Sequence, residues 1–408
     1  MRFILFVICI FLANVLSAQN KIEGLSYIDG KPISVEIKDG KIVNVRSIKK
    51  VPGNRKVYIA PGLIDNQING FNGVSFSFGG GELTTEGVVK ATKALWERGV
   101  TTYLPTLTTN SKEVLLKNFS ILHKTMDCRE LLGSIPGFHL EGPYISPVDG
   151  YRGAHIEKFV RKPDWNEFME FYDASGGNIL TITVAPEIEG AMEFIKKCSD
   201  MGIVVALGHH NGTAALINEA ARNGAKTCTH LGNGCANMIN RHDNPLWPQL
   251  ANDNLMISII CDGFHLRPEE IAVFTKAKGI DKTIITSDVT KYAGLKPGIY
   301  KNIGGDDLEL TKEGMVQYPS QKVLAGSASA IDKGVGHVMK VTGCSLGQAI
   351  QMASTNSAKL YGLDDRGVIE EGKRADLVLF TLEDSIMKIH KTYVQGELVF
   401  DSNTKQDK

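Results

Sequence analysis

The stretch ILTITVAPEIEGAMEFIKKCSDMGIVVALGHH, residues 179–210, contains a strand, a helix and a second strand. Its two ends are short apolar runs, and the helical segment between them ends near Gly202. Glycine is a common residue at the end of a helix. Strands that are apolar along their whole length are typical of a parallel sheet with both faces covered. The stretch therefore predicts a βαβ unit.

The same alternation of strand and helix recurs along residues 59–374. About eight units over this length favour a (β/α)₈ barrel of the TIM type in the α/β class. An open, doubly wound sheet is the alternative, but no GxGxxG motif opens the first unit. The predicted strands are VYIAPGLID, TTYLPTL, IPGFHLEG, ILTITVAPE, IVVALGHH, AKTCTH, MISIICDG and KTIITSD.

The two ends of the chain lack this alternation and contain short segments typical of β-hairpins. ISVEIKDGKIVNVRSI, residues 33–48, predicts a β-hairpin that turns at Asp39-Gly40. KTYVQGELVF, residues 391–400, has a similar turn at Gln395-Gly396. We predict one small β-sandwich domain built from both termini, residues 19–58 and 375–402.

The first residues are predicted to be a signal peptide, residues 1–18. Arg2 precedes an apolar run that starts at Phe3, and small residues lead to a cleavage position after Ala18. An uncleaved membrane anchor is the alternative, but the run is shorter than the roughly 20 residues that a spanning helix needs. We therefore expect export to the periplasm or medium without a stable membrane anchor.

The overall charge gives no indication of a polyanionic partner, and a local basic patch stays open as an alternative. Lys and Arg total 45, equal to the 45 Asp and Glu, so the net charge does not indicate a nucleic-acid partner. Six cysteines follow the signal peptide, and an exported protein can form disulfides. Their irregular spacing, and the apolar surroundings of Cys228 and Cys261, favour buried free thiols.

Polar residues of the kind that bind metals follow several predicted strands. Glu141, His209, His230, Asp262 and Asp288 each stand at the end of an apolar run. In a barrel these positions converge on the C-terminal face, where active sites form. A single such residue is more often structural, but several at successive strand ends are costly to bury unless they are paired or bound.

One carboxylate and two imidazoles form a catalytic metal site with a position left for water. We predict Glu141, His209 and His230 as these ligands. The metal would lower the pKa of water towards about 7. Asp288 is then the natural general base, which later returns the proton to a leaving amine. His210 should point away from the site because side chains alternate along a strand.

Several segments resemble the N-acetylglucosamine-6-phosphate deacetylase family of the amidohydrolase superfamily. They include APGLIDNQINGFNG, GFHLEGPYISP, GYRGAH, LGHHNGT, THLGNG, CDGFHL, ITSDVT and LAGSASAI, in family order. The resemblance covers nearly all of the chain between the signal peptide and the last strands. It implies hydrolysis of an N-acetyl amino sugar to acetate and a free amine.

The resemblance also implies roles for individual residues. His155 is similar to the histidine that contacts the acetamide carbonyl, and His265 to a sugar-binding histidine. Asn233 and Gly234 match positions whose backbone groups hold the substrate. Arg241 matches an arginine that binds the substrate phosphate in the neighbouring subunit, which implies a homodimer.

Gln67 and Asn69 stand where two-metal amidohydrolases carry His-x-His. Some members of the resembled family have Gln-x-Asn here and use one metal. We therefore expect one divalent metal per subunit, Zn²⁺ first, with Fe²⁺, Co²⁺ and Mn²⁺ as alternatives. We predict Gln67 as a substrate-binding residue, and Gln67 and Asn69 should form hydrogen bonds near the vacant position of the second metal.

The predicted export conflicts with a sugar 6-phosphate substrate, because such metabolites are normally cytoplasmic. An unphosphorylated or sulfated N-acetyl sugar and an N-acyl-D-amino acid are therefore alternative substrates. A catalytically silent sugar-binding protein is a further alternative, but it predicts damaged ligands, and Glu141, His209, His230 and Asp288 all stand.

Overall fold

The computed structural model describes residues 20–53, 56–77, 83–301, 307–319 and 323–405. The predicted signal peptide, residues 1–18, lies outside these described residues. Among the helices of the described segments, none has the length and apolar character needed to cross a membrane.

Eight parallel strands form a nearly closed barrel, and each pairs with the next along the chain. A parallel bridge between Ile68 and Val289 joins the first strand to the segment after the last one. The Asp65 carboxylate also crosses this seam and accepts hydrogen bonds from Thr286 Oγ1 and Ser287 N, both at 3.2 Å. The barrel prediction is therefore confirmed over the open sheet. The strands are Leu63–Ile68, Val100–Thr108, Phe138–Glu141, Ile179–Val184, Val204–Leu207, Ala225–Cys228, Met256–Ile260 and Thr283–Thr286.

A helix follows each barrel strand. In residues 179–210 the helix Ala191–Asp200 buries Ala191, Phe194, Ile195 and Cys198, a spacing that places them on one face against the barrel. Side-chain caps at Thr84, Ser111, Asp164 and Thr213 start four of the helices. The helices after the eight strands are Thr85–Trp96, Lys112–Met126, Trp165–Ala174, Ala191–Asp200, Ala214–Arg222, Leu246–Ala251, Pro268–Lys278 and Ile331–Thr342; Leu346–Ile350, the π-helical Gln351–Thr355 and Asn356–Leu360 complete the chain of helices.

The terminal strands form a separate seven-stranded, mainly antiparallel sheet. The sheet curls on itself, since Ile42 N bonds to Lys373 O and Ala375 N to Gly40 O, each at 2.9 Å. Its two halves enclose a small apolar core that includes Val35 and Leu377. The strands are Asn20–Ser26, Pro32–Lys38, Lys41–Ser47, Tyr58–Pro61, Leu377–Glu383, Ile386–Val394 and Glu397–Asp401.

The predicted hairpin turns are present. Asp39 and Gly40 have φ of 51° and 76°, and Gln395 and Gly396 have 48° and 74°, the left-handed values that two-residue hairpin turns require. The predicted strand 57–65 is instead divided at Gly62 between the terminal sheet and the barrel. A Cβ on Gly62 would lie 2.0 Å from Thr101 Oγ1, so the close approach of the two strands needs glycine.

A four-stranded antiparallel sheet, which was not predicted, follows the last barrel strand. Its strands are Gly298–Lys301, Asp307–Leu310, Met315–Tyr318 and Val323–Ser327. They are short, and polar residues interrupt the apolar positions of the first three strands, so no long apolar run marks the sheet. The sheet joins the barrel where Ser327 N donates to Asp288 O at 3.1 Å. It therefore lies at the same barrel end as the predicted catalytic residues.

The six described cysteines have free thiols in the structure. Cys228 and Cys261 are buried, as the apolar surroundings of both residues indicated.

Candidate active site

The barrel brings Glu141, His209 and His230 together at the C-terminal ends of three strands. Glu141 Oε1 lies 2.9 Å from His230 Nε2 and 3.3 Å from His209 Nε2. The two histidine Nε2 atoms are 3.1 Å apart. All three residues are buried. Residues separated by up to 89 positions in sequence thus direct three potential ligand atoms at one point.

The backbone at these strand ends is unusual. φ is 52° at His209, 29° at His230 and 51° at Asp288. Residues other than glycine seldom adopt such left-handed values, which cost of order 1–3 kcal/mol each and concentrate at functional sites. The conformation turns each residue sharply at the end of its strand, and the surrounding contacts hold it there.

Hydrogen bonds orient the imidazole of His209. Its Nδ1 lies 3.0 Å from the carbonyl oxygen of Tyr151. A carbonyl can only accept a hydrogen bond, so Nδ1 carries the proton, and in the neutral ring Nε2 keeps a lone pair that can bind a metal. A backbone carbonyl in this position is the usual support of a metal-binding histidine.

His155 lies closer to the cluster than a pure substrate contact requires. Its Nε2 is 3.2 Å from His209 Nε2, and its Nδ1 is 2.8 Å from Thr109 Oγ1. The potential ligand atoms of Glu141, His155 and His209 also lie within 4.8 Å of one another. Four donor groups therefore surround one point, and His155 could hold either a metal or a ligand bound next to it.

The electrostatics of the cluster suit a cation. Burial opposes ionisation of Glu141, but the imidazoles of His209 and His230 beside it outweigh burial and hold its pKa well below the usual value. Burial, reinforced by His209, lowers the pKa of His155 to about 3, so this imidazole is neutral. Within the described residues His230 Nδ1 is buried without a hydrogen-bond partner. An anionic carboxylate beside converging imidazole lone pairs is the donor set of a divalent-metal site.

Two amide side chains link Glu141 to Asp288. Gln67 Nε2 donates to Glu141 Oε1 at 2.9 Å and to Asp288 Oδ1 at 3.0 Å. Asn69 Nδ2 donates to the same Asp288 Oδ1 at 2.7 Å. The amides thus stand between the carboxylates, as hydrogen-bond donors, where a two-metal enzyme would need ligands. Burial and the charge of Glu141 raise the pKa of Asp288, which favours proton acceptance.

The predicted substrate-binding residues occupy different environments. Asn233 and Gly234 follow His230 directly, and Asn233 N donates to His230 O at 2.9 Å. His265 is almost buried and pairs with Asp262. Arg241 is exposed, and the described residues offer its guanidinium no ion pair. The structure therefore gathers Asn233, Gly234 and Gln67 at the cluster but leaves Arg241 on the surface.

Three groups of the site were not predicted: the Thr109 hydroxyl, the Tyr151 carbonyl and His139. His139 shares a strand face with Glu141, and its Nε2 lies 2.8 Å from Thr183 Oγ1. Burial lowers its pKa to about 4, so it is a neutral part of the barrel interior. The two-residue spacing between His139 and Glu141 is the sequence signal that places both side chains on one strand face. His210 is buried away from the cluster and accepts from Gly212 N at 3.1 Å, as alternation predicted.

Gly234→Ala should disturb the cluster through His209. A Cβ there would lie 2.7 Å from His209 Nδ1, and φ is +62°. We expect a loss of about 1–2 kcal/mol from the backbone conformation alone, and weaker metal binding by about 10- to 100-fold because His209 must move. Metal titration and denaturant unfolding measure the two effects.

Gly202→Ala is the matched control, because φ is +80° and nothing lies within 4 Å of the added Cβ. It should lose similar stability and keep its metal affinity. Equal metal affinity in the two variants would contradict the proposed crowding of His209.

The comparisons with known proteins agree with this geometry. Residues 58–399 match the Amidohydrolase family. The N-acetylglucosamine-6-phosphate deacetylase of Bacillus subtilis (strain 168) is 31% identical over 90% of this chain and 92% of the relative. The Bos taurus protein of that name is 33% identical over 84% of this chain and 83% of its own.

Solved structures give the same result. N-acetylglucosamine-6-phosphate deacetylase from Thermotoga maritima matches with a TM-score of 0.82 and 31% identity, over 94% of this chain and 100% of that chain. A mutant of the Mycobacterium smegmatis enzyme in complex with N-acetyl-D-glucosamine-6-phosphate matches with a TM-score of 0.83 and 26% identity, over 94% and 99%. The chain belongs to the amidohydrolase family and, within it, to the N-acetylglucosamine-6-phosphate deacetylase family of carbon–nitrogen amide hydrolases.

Proposed function

We propose that this protein removes the N-acetyl group of N-acetylglucosamine 6-phosphate and releases acetate and the free amine. The observation that carries the proposal is the buried Glu141–His209–His230 cluster with Asp288 beside it at the barrel end. The named relatives act on the same amide, and one neighbouring structure holds the phosphorylated sugar.

Glu141, His209 and His230 would hold one divalent cation, with Zn²⁺ as the first choice and Fe²⁺, Co²⁺ or Mn²⁺ as alternatives. When bound, such a cation supplies Lewis acidity, which makes water more acidic and polarises the amide carbonyl. The chain's own groups do the remaining work. Gln67 and Asn69 hold Asp288 by one oxygen.

Asp288 would take the proton of the attacking water and later return it to the departing amine. A raised pKa suits both steps, because the group must accept and then release the same proton near neutral pH. His155 is neutral, and with the Thr109 hydroxyl donating to Nδ1 its Nε2–H would donate to the carbonyl oxygen as negative charge develops there.

Acetate release from a panel of purified substrates tests the proposal. The panel contains N-acetylglucosamine 6-phosphate, the free sugar, its 6-sulfate and an N-acetyl-D-amino acid. We expect the highest kcat/KM with the phosphorylated sugar. Hydrolysis of only the amino-acid derivative would overturn the sugar assignment, and metal-loaded protein that cleaves none of them would favour a silent binding protein.

The predicted signal peptide, residues 1–18, supports a second candidate substrate. An exported enzyme would meet unphosphorylated or sulfated sugars more often than 6-phosphates. The two candidates differ in the panel, since the free sugar or the sulfate would then be cleaved best. Sequencing the mature N-terminus tests export, and Gln19 as first residue is the expected result.

Arg241 is proposed to bind the substrate phosphate of the neighbouring subunit in a homodimer. Its exposure and its planar, bidentate guanidinium suit this task. Mixed dimers of Arg241→Ala and Asp288→Asn chains should regain activity, because one of their two sites then has both groups intact. Each variant alone is the control. Mixed dimers no more active than the controls would place Arg241 outside the site.

A further inference from the structure

Asp262 follows the barrel strand Met256–Ile260 and pairs with His265. No other role has been given to the groups that hold His265 in place. The Asp262 side chain is only 3% exposed, and that of His265 is 7% exposed. The residue belongs to neither the metal cluster nor the Asp288 network. A buried carboxylate at this barrel end therefore needs an explanation of its own.

The two oxygens of Asp262 have different tasks. Oδ1 accepts from the backbone N–H groups of Phe264 at 2.8 Å and His265 at 3.0 Å, which closes a tight turn. Oδ2 lies 2.8 Å from His265 Nδ1. One carboxylate thus fixes both the backbone position and the ring of His265.

The charge of Asp262 decides which nitrogen of His265 carries a proton. Burial favours the neutral acid, but the hydrogen bonds from His265 outweigh it and hold the Asp262 pKa at about 2. An ionised carboxylate only accepts hydrogen bonds, so His265 Nδ1 must carry a proton. In neutral imidazole the remaining nitrogen, Nε2, then bears a lone pair.

His265 Nε2 has no hydrogen-bond partner among the residues that the structure describes. His265 and Asp288 both follow the C-terminal ends of barrel strands, so the two side chains share the same end of the barrel. We propose that Asp262 is a positioning residue that holds His265 as the Nδ1–H tautomer, so that Nε2 accepts a hydrogen bond from a substrate hydroxyl. This inference rests on the proposed function, in which His265 binds the sugar.

Nuclear magnetic resonance of ¹⁵N-labelled protein tests the tautomer without any substrate. We expect the His265 ring to show a protonated Nδ1 and an unprotonated Nε2, with His265→Gln used to assign the signals. Asp262→Asn keeps an acceptor for the two backbone N–H groups but presents an N–H to His265 Nδ1. The tautomer should then reverse. A wild-type ring protonated only at Nε2 would overturn the proposal.

Steady-state kinetics distinguish a role of Asp262 in positioning His265 from a role in the stability of the fold. Asp262→Asn should raise KM by about 10- to 100-fold and leave kcat within about threefold, because a ground-state contact is lost. In a His265→Ala background the same substitution should add almost nothing. An equal rise in KM in both backgrounds would show that Asp262 does not act through His265.

Asp332→Asn is the matched control, since Asp332 is a buried aspartate that pairs with Arg98 rather than with His265. It should lower the unfolding temperature without changing KM or the His265 signals. If no N-acetyl sugar is cleaved while the tautomer reverses as expected, the proposed function fails and the positioning role of Asp262 stands.

Discussion

Asp288→Asn is expected to lower kcat by about 10²- to 10⁴-fold, the usual contribution of a positioned general base. The substitution keeps the size of the side chain and its Oδ1 acceptor for Gln67 and Asn69. Asparagine also tolerates the left-handed φ of 51° at this position. What it removes is the ability to take a proton from water and to give one to the amine.

Three measurements separate this loss from a structural one: kcat with saturating substrate, metal per chain, and unfolding temperature. Only kcat should fall strongly. Asp281→Asn, at an exposed residue of the turn Ile280–Lys282, is a control in which all three should stay close to wild type. Turnover within tenfold of wild type in Asp288→Asn would remove Asp288 from its proposed role.

Glu141→Gln should abolish metal binding and with it the activity. Glu141 is the anionic member of the cluster, and its Oε1 meets both His209 and His230. The neutral amide of glutamine does not balance the charge of a divalent cation. Its oxygen is also a weaker metal ligand than a carboxylate oxygen. Since Lewis acidity contributes several kcal/mol to the transition state, we expect a fall in kcat/KM of roughly 10³-fold or more.

Removal of the metal with a chelator tests the same metal site independently. Wild-type enzyme treated with a chelator should lose activity, unfold at a lower temperature because ligand stabilisation is lost, and recover both on addition of Zn²⁺. Glu141→Gln should not recover. Glu187→Gln is the matched control, because this half-buried carboxylate lies on another loop and accepts from Asn211 N at 2.7 Å. Full metal content in Glu141→Gln would contradict the assignment.

Much of the site could be predicted because strand ends of a barrel converge. Glu141, His209, His230 and Asp288 each follow an apolar run, so once the barrel is recognised their proximity follows from topology. The position of the two amides near the site was also predictable, since Gln67 and Asn69 share a strand face. Their partners were not, because only the closed barrel places them between Glu141 and Asp288.

The four-stranded sheet after Asp288, by contrast, could not be predicted from the sequence. Its strands GIYK, DLEL and MVQY are short and mostly exposed or half-buried, so their pattern is too weak to distinguish from a loop. Their stability comes from a core that includes Leu308 and Val316, which forms only when the strands pair. Local sequence does not encode such pairing strongly.

The fold class, the hairpins at both ends and the residues at the strand ends could be predicted, because these depend on local periodicity and turn chemistry. Which atoms come into contact depends on the packing of distant segments. The protonated nitrogen of His209 depends on the Tyr151 carbonyl, and that of His265 on Asp262. Such choices arise from contacts between distant segments or across tight turns, and a one-dimensional pattern carries no distances.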